Sequence, residues 1–77
     1  MNLDDSAFLQ QIGFAIREAR IARQMTQAQL AERIGVTRQT VIAIEQGRYS
    51  PSLEMAFQIA RVFDVPLDAV FQYPDPD

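Results

Sequence analysis

Four consecutive polar side chains, Thr37, Arg38, Gln39 and Thr40, open the segment GVTRQTVIAIEQG. Arginine carries a planar fork of donors that bonds O6 and N7 of guanine, or two phosphate oxygens, together. Glutamine engages N6 and N7 of adenine in the same two-pronged way. Side by side, the two suit the reading of base edges more than the making or breaking of bonds. Thr37 stands where a side-chain oxygen caps a helix, ahead of the inward-facing Val41 and Ile44, and Gly47 stands where a helix stops. Arg38 and Gln39 then fall on the first helical turn, which prefers acids. A cation there costs roughly a few tenths of a kcal/mol, and a nearby anion reverses the sign. A helix N-terminus with free N–H groups is itself an anion site.

Other chemistries lack their groups. The 77 residues include no histidine and no cysteine, which removes the commonest general base, the commonest metal ligand and any disulfide. Ser6, Ser50 and Ser52 have no histidine to activate them. The acid pairs Asp4–Asp5 and Asp75–Asp77 are terminal and lack the glycine of a metal loop. No phosphate-binding loop or dinucleotide fingerprint is present. We expect no enzyme, no metal, no cofactor and no small-molecule ligand. Hydrophobic residues make up 48%, too many for a disordered chain. No apolar run approaches the roughly 18 residues of a membrane span. MNLDDSAF is acidic where a signal peptide is basic. A soluble, cytoplasmic protein is the expectation.

The net charge is −3, yet residues 14–50 carry six arginines against Glu18, Glu32 and Glu45. The acids gather at the two ends, so the basic excess surrounds the polar segment. Such asymmetry says more about partners than the total.

The apolar spacing predicts helices throughout. Ser6 is expected to cap a first helix running to about Arg23, with Phe8, Leu9, Ile12, Ile16 and Ala19 inward. Thr26 and Gln29 have the spacing of a capping box. Leu30, Ala31 and Ile34 form the next stripe, and Gly35 ends it. Thr37 starts the third helix almost at once, a link short enough for a helix-turn-helix. Ser52 is expected to cap a fourth helix with Leu53, Ala56, Phe57, Ala60 and Phe63 inward. Pro66 introduces a short fifth, Leu67 to about Phe71. The tail YPDPD is expected to fray.

Ile12 to Phe71 resembles the Cro/phage-repressor, or XRE-type, helix-turn-helix family, most closely in MTQAQLAERIGVTRQTVIAIEQG followed by RYSPSL. The resemblance implies an all-α, compact five-helix, lambda-repressor-like fold. It implies a single DNA-binding domain over residues 1–77, with its core in 6–71 and a flexible tail in 72–77. It also implies a transcriptional regulator of double-stranded DNA, expected to act as a repressor homodimer on a pseudo-palindromic operator. By position, Arg38, Gln39 and Ala43 would face bases, Ala43 only through a thymine methyl. Gln27, Thr37, Thr40, Gln46, Arg48, Tyr49 and Ser50 would lie along the DNA backbone. Arg20 and Glu45 would form a largely buried ion pair with a structural role.

Three positions depart from the family pattern. Gln24 replaces a glycine that usually ends the first helix, so it either turns left-handed or uses another geometry. Phe14 and Ile42 stand at normally polar positions, as lone exposed residues or as part of a partner surface. For a dimer contact the choices are Val70, Phe71 and Tyr73, although Val70 and Phe71 serve equally to close the core. An antitoxin or a protein–protein adaptor on the same fold is the alternative function.

Overall fold

Hydroxyl caps fix three of the helix starts. The computed structural model describes residues 5–72, and among them the chain forms α1 (Asp5–Ala22), α2 (Gln27–Ile34), α3 (Arg38–Glu45), α4 (Leu53–Phe63) and α5 (Leu67–Val70), with no strand. Ahead of α2, Thr26 Oγ1 accepts from the Gln29 N–H at 3.0 Å, and Gln29 Oε1 accepts from the Thr26 N–H at 2.8 Å. This is the capping box expected from the spacing. Thr37 Oγ1 accepts from the Thr40 N–H at 3.2 Å, and Ser52 Oγ from the Met55 N–H at 3.1 Å. α1 already includes Asp5 and Ser6, so it begins before the expected cap, and it ends at Ala22. Pro66 sits just outside α5, and Phe71 lies past its end.

Four helices leave by one motif. Gln24, Gly35, Gly47 and Asp64 all have positive φ, from 56° to 77°. Each donates its N–H to the carbonyl three residues back, and the following N–H reaches the carbonyl five residues back. Gln24 to Ile21 with Met25 to Arg20 is one such pair, and Gly47 to Ile44 with Arg48 to Ala43 is another. This pairing satisfies carbonyls that a helix end leaves open. Gln24 therefore does turn left-handed, at the steric cost that a Cβ carries there.

The buried side chains come from every helix: Ile12 and Ile16; Leu30, Ala31 and Ile34; Val41 and Ile44; Ala56, Ile59, Ala60 and Phe63; and Val70. Phe8 and Ala19 pack against this core from α1. One expectation about α4 needs correction. The buried stripe of α4 is Ala56, Ile59, Ala60 and Phe63, whereas Leu53 and Phe57 are exposed. A helix this apolar offers two possible stripes, and the bundle takes the one containing Ile59. Val70 is buried and Phe71, half-buried, packs against the core, so both serve to close it; Tyr73 and the tail lie outside the described residues.

α3 is seated on α1 by two features. A Cβ on Gly13 would lie 2.5 Å from the Ile44 carbonyl oxygen and 2.6 Å from that of Glu45. Only glycine lets the α1 backbone approach the last turn of α3 this closely. Further along α1, Arg20 Nε donates to Glu45 Oε2 at 2.7 Å and Nη2 to Oε1 at 3.1 Å. Arg20 Nη1 also donates to the Met25 carbonyl at 2.8 Å, and Gln27 Nε2 to Glu45 Oε1 at 3.0 Å. The side chains of Arg20 and Glu45 are 11% and 3% exposed, so the pair is largely dry. No described buried side-chain nitrogen or oxygen lacks a partner. A satisfied network of this kind holds one arrangement, whereas half of it is worse than none.

Urea unfolding tests both points. Arg20→Ala and Glu45→Ala should each lower stability by about 3–5 kcal/mol, because each strands a buried charge. The double variant should lose clearly less than the sum of the two. Equal additivity would mean the charges are solvated independently. Gln24→Gly should raise stability by up to about 1 kcal/mol, since it removes left-handed strain at an exposed site; a loss would show that the Gln24 side chain contributes something the backbone geometry does not reveal.

Candidate nucleic-acid interface

The short turn Gly35–Val36–Thr37 joins α2 to α3 and leaves the first turn of α3 on the surface. Thr37 and Thr40 are committed there to each other. Beyond the backbone cap, their hydroxyl oxygens lie 3.1 Å apart within hydrogen-bonding distance. Arg38 and Gln39 are exposed, and neither side chain has a partner among the described residues. Their backbone N–H groups also lack an acceptor among the described residues, as the first N–H groups of a helix do. Neither α2 nor α3 has an acid in its first turn, while α4 has Glu54 and α5 has Asp68. The positive ends of α2 and α3 thus have no acid within their own first turns to offset them.

Val41 and Ile44 turn one side of α3 into the core. The opposite side carries Arg38, Gln39, Ile42 and Ala43, with Ile42 and Ala43 half-buried. Ile42 belongs to the outward stripe by its spacing of four from Arg38, a signal the residue type alone obscures. Its apolar side chain is suited to a thymine methyl, as is that of Ala43.

A shallow groove beside this turn is lined by Arg17, Gln27, Ala28 and Arg38, among others. Arg17 was not among the residues expected to matter. It lies on α1 one turn before Arg20, and only the tertiary packing of the helices brings it into the same groove as Arg38. The two arginines that follow it, Arg20 on α1 and Arg23 just past its end, are used internally. Arg20 holds Glu45. Arg23 donates to the carbonyls of Ala19 and Phe63, each at 2.8 Å, and its guanidinium lies 4.9 Å from the centre of the Phe63 ring. The basic excess of the middle segment therefore shrinks to a smaller set that is free to meet an anion.

Gln27 is half-buried, and its amide nitrogen already donates to Glu45. An amide nitrogen carries two hydrogens, so a second donor remains for an outside acceptor. After α3, Gln46, Arg48, Tyr49 and Ser50 are all exposed on the turn that leads to α4. This turn begins at the left-handed Gly47, where a Cβ would meet Gln10 of α1 at 2.7 Å. The positions expected from the sequence to meet DNA thus fall on two adjoining stretches, the outward side of α3 with the start of α2, and the turn after α3. No described cluster of acidic side chains is suited to hold a metal ion. No described helix is long and apolar enough to cross a membrane.

Known proteins share both the sequence and the shape. A helix-turn-helix family model matches residues 16–70. An HTH-type transcriptional regulator of Methanocaldococcus jannaschii is 48% identical over 58 residues, which cover 75% of this chain and 88% of that protein. The transcriptional repressor RstR of a cryptic phage in Vibrio cholerae is 38% identical over 52 residues, covering 68% of this chain and 47% of the repressor. The crystal structure of the restriction-modification controller protein C.AhdI from Aeromonas hydrophila superposes with a TM-score of 0.81 at 31% identity, over 84% of this chain and 98% of that one. With the α2–α3 unit, the free first turn of α3 and these relatives together, the chain belongs to the XRE-type helix-turn-helix family of transcriptional regulators, proteins with a DNA-binding fold rather than enzymes.

Proposed function

We propose that the chain is a repressor that binds a pseudo-palindromic operator as a homodimer and reads it with the first turn of α3. One observation carries this reading: Arg38 and Gln39 stand free and exposed while the polar groups around them are spent on the fold. Thr37 and Thr40 close the cap, and Arg20, Gln27 and Glu45 close the network behind it. In a helix-turn-helix the second helix enters the major groove by its N-terminal residues. Arg38 and Gln39 would bond guanine and adenine edges there, with Ile42 and Ala43 on thymine methyls.

Backbone contacts would come from both sides of α3. Arg17, Gln27 and the α2 N-terminus would take phosphates beside its start, with Thr37 and Thr40 close to the same strand. Gln46, Arg48, Tyr49 and Ser50 would take those beside its end. Contacts of this second kind set register without carrying sequence information. A repressor needs nothing further, because a bound protein blocks a promoter by occupying it. The phage repressor among the relatives supports that choice of sign.

Selection of bound duplexes from a random pool at near-physiological salt tests the whole reading. An inverted repeat with half-sites about one helical turn apart should be enriched. Weak binding without enrichment, lost as salt rises, would favour an antitoxin or adaptor instead.

Two variants separate readout from positioning. Arg38→Ala should relax preference at one base position, by about 1–3 kcal/mol of discrimination. Arg48→Ala should weaken all duplexes alike and reduce the slope of log affinity against log salt by about one. Uniform losses from both would remove the assigned division of labour.

A further inference from the structure

The least explained surface of the molecule lies on α4. Leu53 and Phe57, one turn apart, are 69% and 55% exposed. Lone exposed apolar residues are ordinary. These two, however, border a hollow of about 730 Å³ that Ala60, Val65 and Leu67 also line. Glu54 and Arg61 line the same hollow, three residues before Phe57 and four after it. Neither has an ion-pair partner among the described residues, where Arg20–Glu45 is the one ion pair.

We propose that this face of α4 is the two-fold interface of the homodimer, with α4 packed antiparallel against its copy beside Phe57. A two-fold contact pairs residue i with j and j with i. Antiparallel pairing about Phe57 and Gln58 sets Glu54 against the partner's Arg61, and does so twice. Parallel pairing would set glutamate against glutamate and arginine against arginine. The face is thus complementary in charge to itself in one orientation, and this complementarity specifies a second copy of the chain as its occupant. The exposed Phe57 ring supplies the protrusion, and the hollow beside it supplies the matching recess.

A second exposed apolar pair, Phe14 and Ile21 on α1, fits a dimer less well. Ile21 lines the groove that contains Arg17, Gln27 and Arg38, so a partner seated there would cover the groove. The α4 face has no such conflict. It follows directly on the turn of Arg48, Tyr49 and Ser50, so pairing at α4 would bring the two copies of that turn toward the dyad. The proposal rests on the homodimeric regulator reading and gives it a surface.

Sedimentation equilibrium of the full chain without DNA tests the proposal. Wild type should dimerise, and Phe57→Ser should raise the dimer dissociation constant while leaving the helical circular-dichroism spectrum unchanged. Glu54→Arg and Arg61→Glu should each weaken the dimer by at least about tenfold, by placing like charges together. The double variant, Glu54→Arg with Arg61→Glu, should recover most of that loss, because the pairing is restored with its signs exchanged. A monomeric wild type overturns the proposal. So does a dimer indifferent to the charge swaps, or one abolished by Phe14→Ser but not by Phe57→Ser. Duplex selection is read separately. Recovery by the double swap with no enriched sequence would uphold the interface and remove the operator reading. An enriched repeat with an indifferent dimer would do the opposite.

Discussion

The Arg20–Glu45 pair is the interaction on which the rest of the site depends. It joins α1 to the last turn of α3, and its remaining donors and acceptors extend to the Met25 carbonyl and to Gln27. Four parts of the chain meet there: α1, the turn after it, the start of α2 and the end of α3. The charges are expensive to bury and tolerable only when fully bonded. The network therefore admits little variation in how α3 sits. Its outcome is that α3 is oriented from behind, by groups that lie away from its exposed first turn.

Close approach makes the network possible. Gly13 removes the side chain that would otherwise hold α1 away from the carbonyls of Ile44 and Glu45. A missing Cβ and a buried ion pair thus act on the same helix from positions about two turns apart on α1. Arg23 performs a similar service at the other end of the bundle, where it ties α1 to the last carbonyl of α4. These uses explain how an acidic protein can face an anion. What counts is which arginines remain unspent and where they emerge, not the sum over the chain. Arg17, Arg38 and Arg48 are exposed around α3, whereas much of the acid lies in α4, α5 and the terminal segments.

The two surfaces of the molecule then divide by composition. Around α3 the exposed groups are cations, amides and hydroxyls, with Ile42 and Ala43 between them. On α4 the exposed groups are large and apolar, flanked by one charge of each sign. The first composition matches a polyanion with hydrogen-bonding edges, and the second matches a protein surface like itself. The turn from Gln46 to Ser52 links the two surfaces, since it runs from the end of α3 to the start of α4.

Local chemistry was legible from the residues alone. Thr26 with Gln29, Thr37 and Ser52 announce helix starts, and Gly35 and Gly47 announce exits, because each acts on backbone groups within a few residues of itself. The stripes of α2 and α3 were equally plain, since each short helix has one apolar side. Tertiary structure decided what depends on distant partners. α4 could present Leu53 and Phe57 or Ile59 to the core, and only packing against the other helices selected Ile59. Gln24 could have taken several geometries, and the path from α1 to α2 required the left-handed one. Seven arginines look alike in the sequence. Their division into ties and free cations follows from acceptors 25 and 40 residues away, on α3 and α4, which no local pattern encodes.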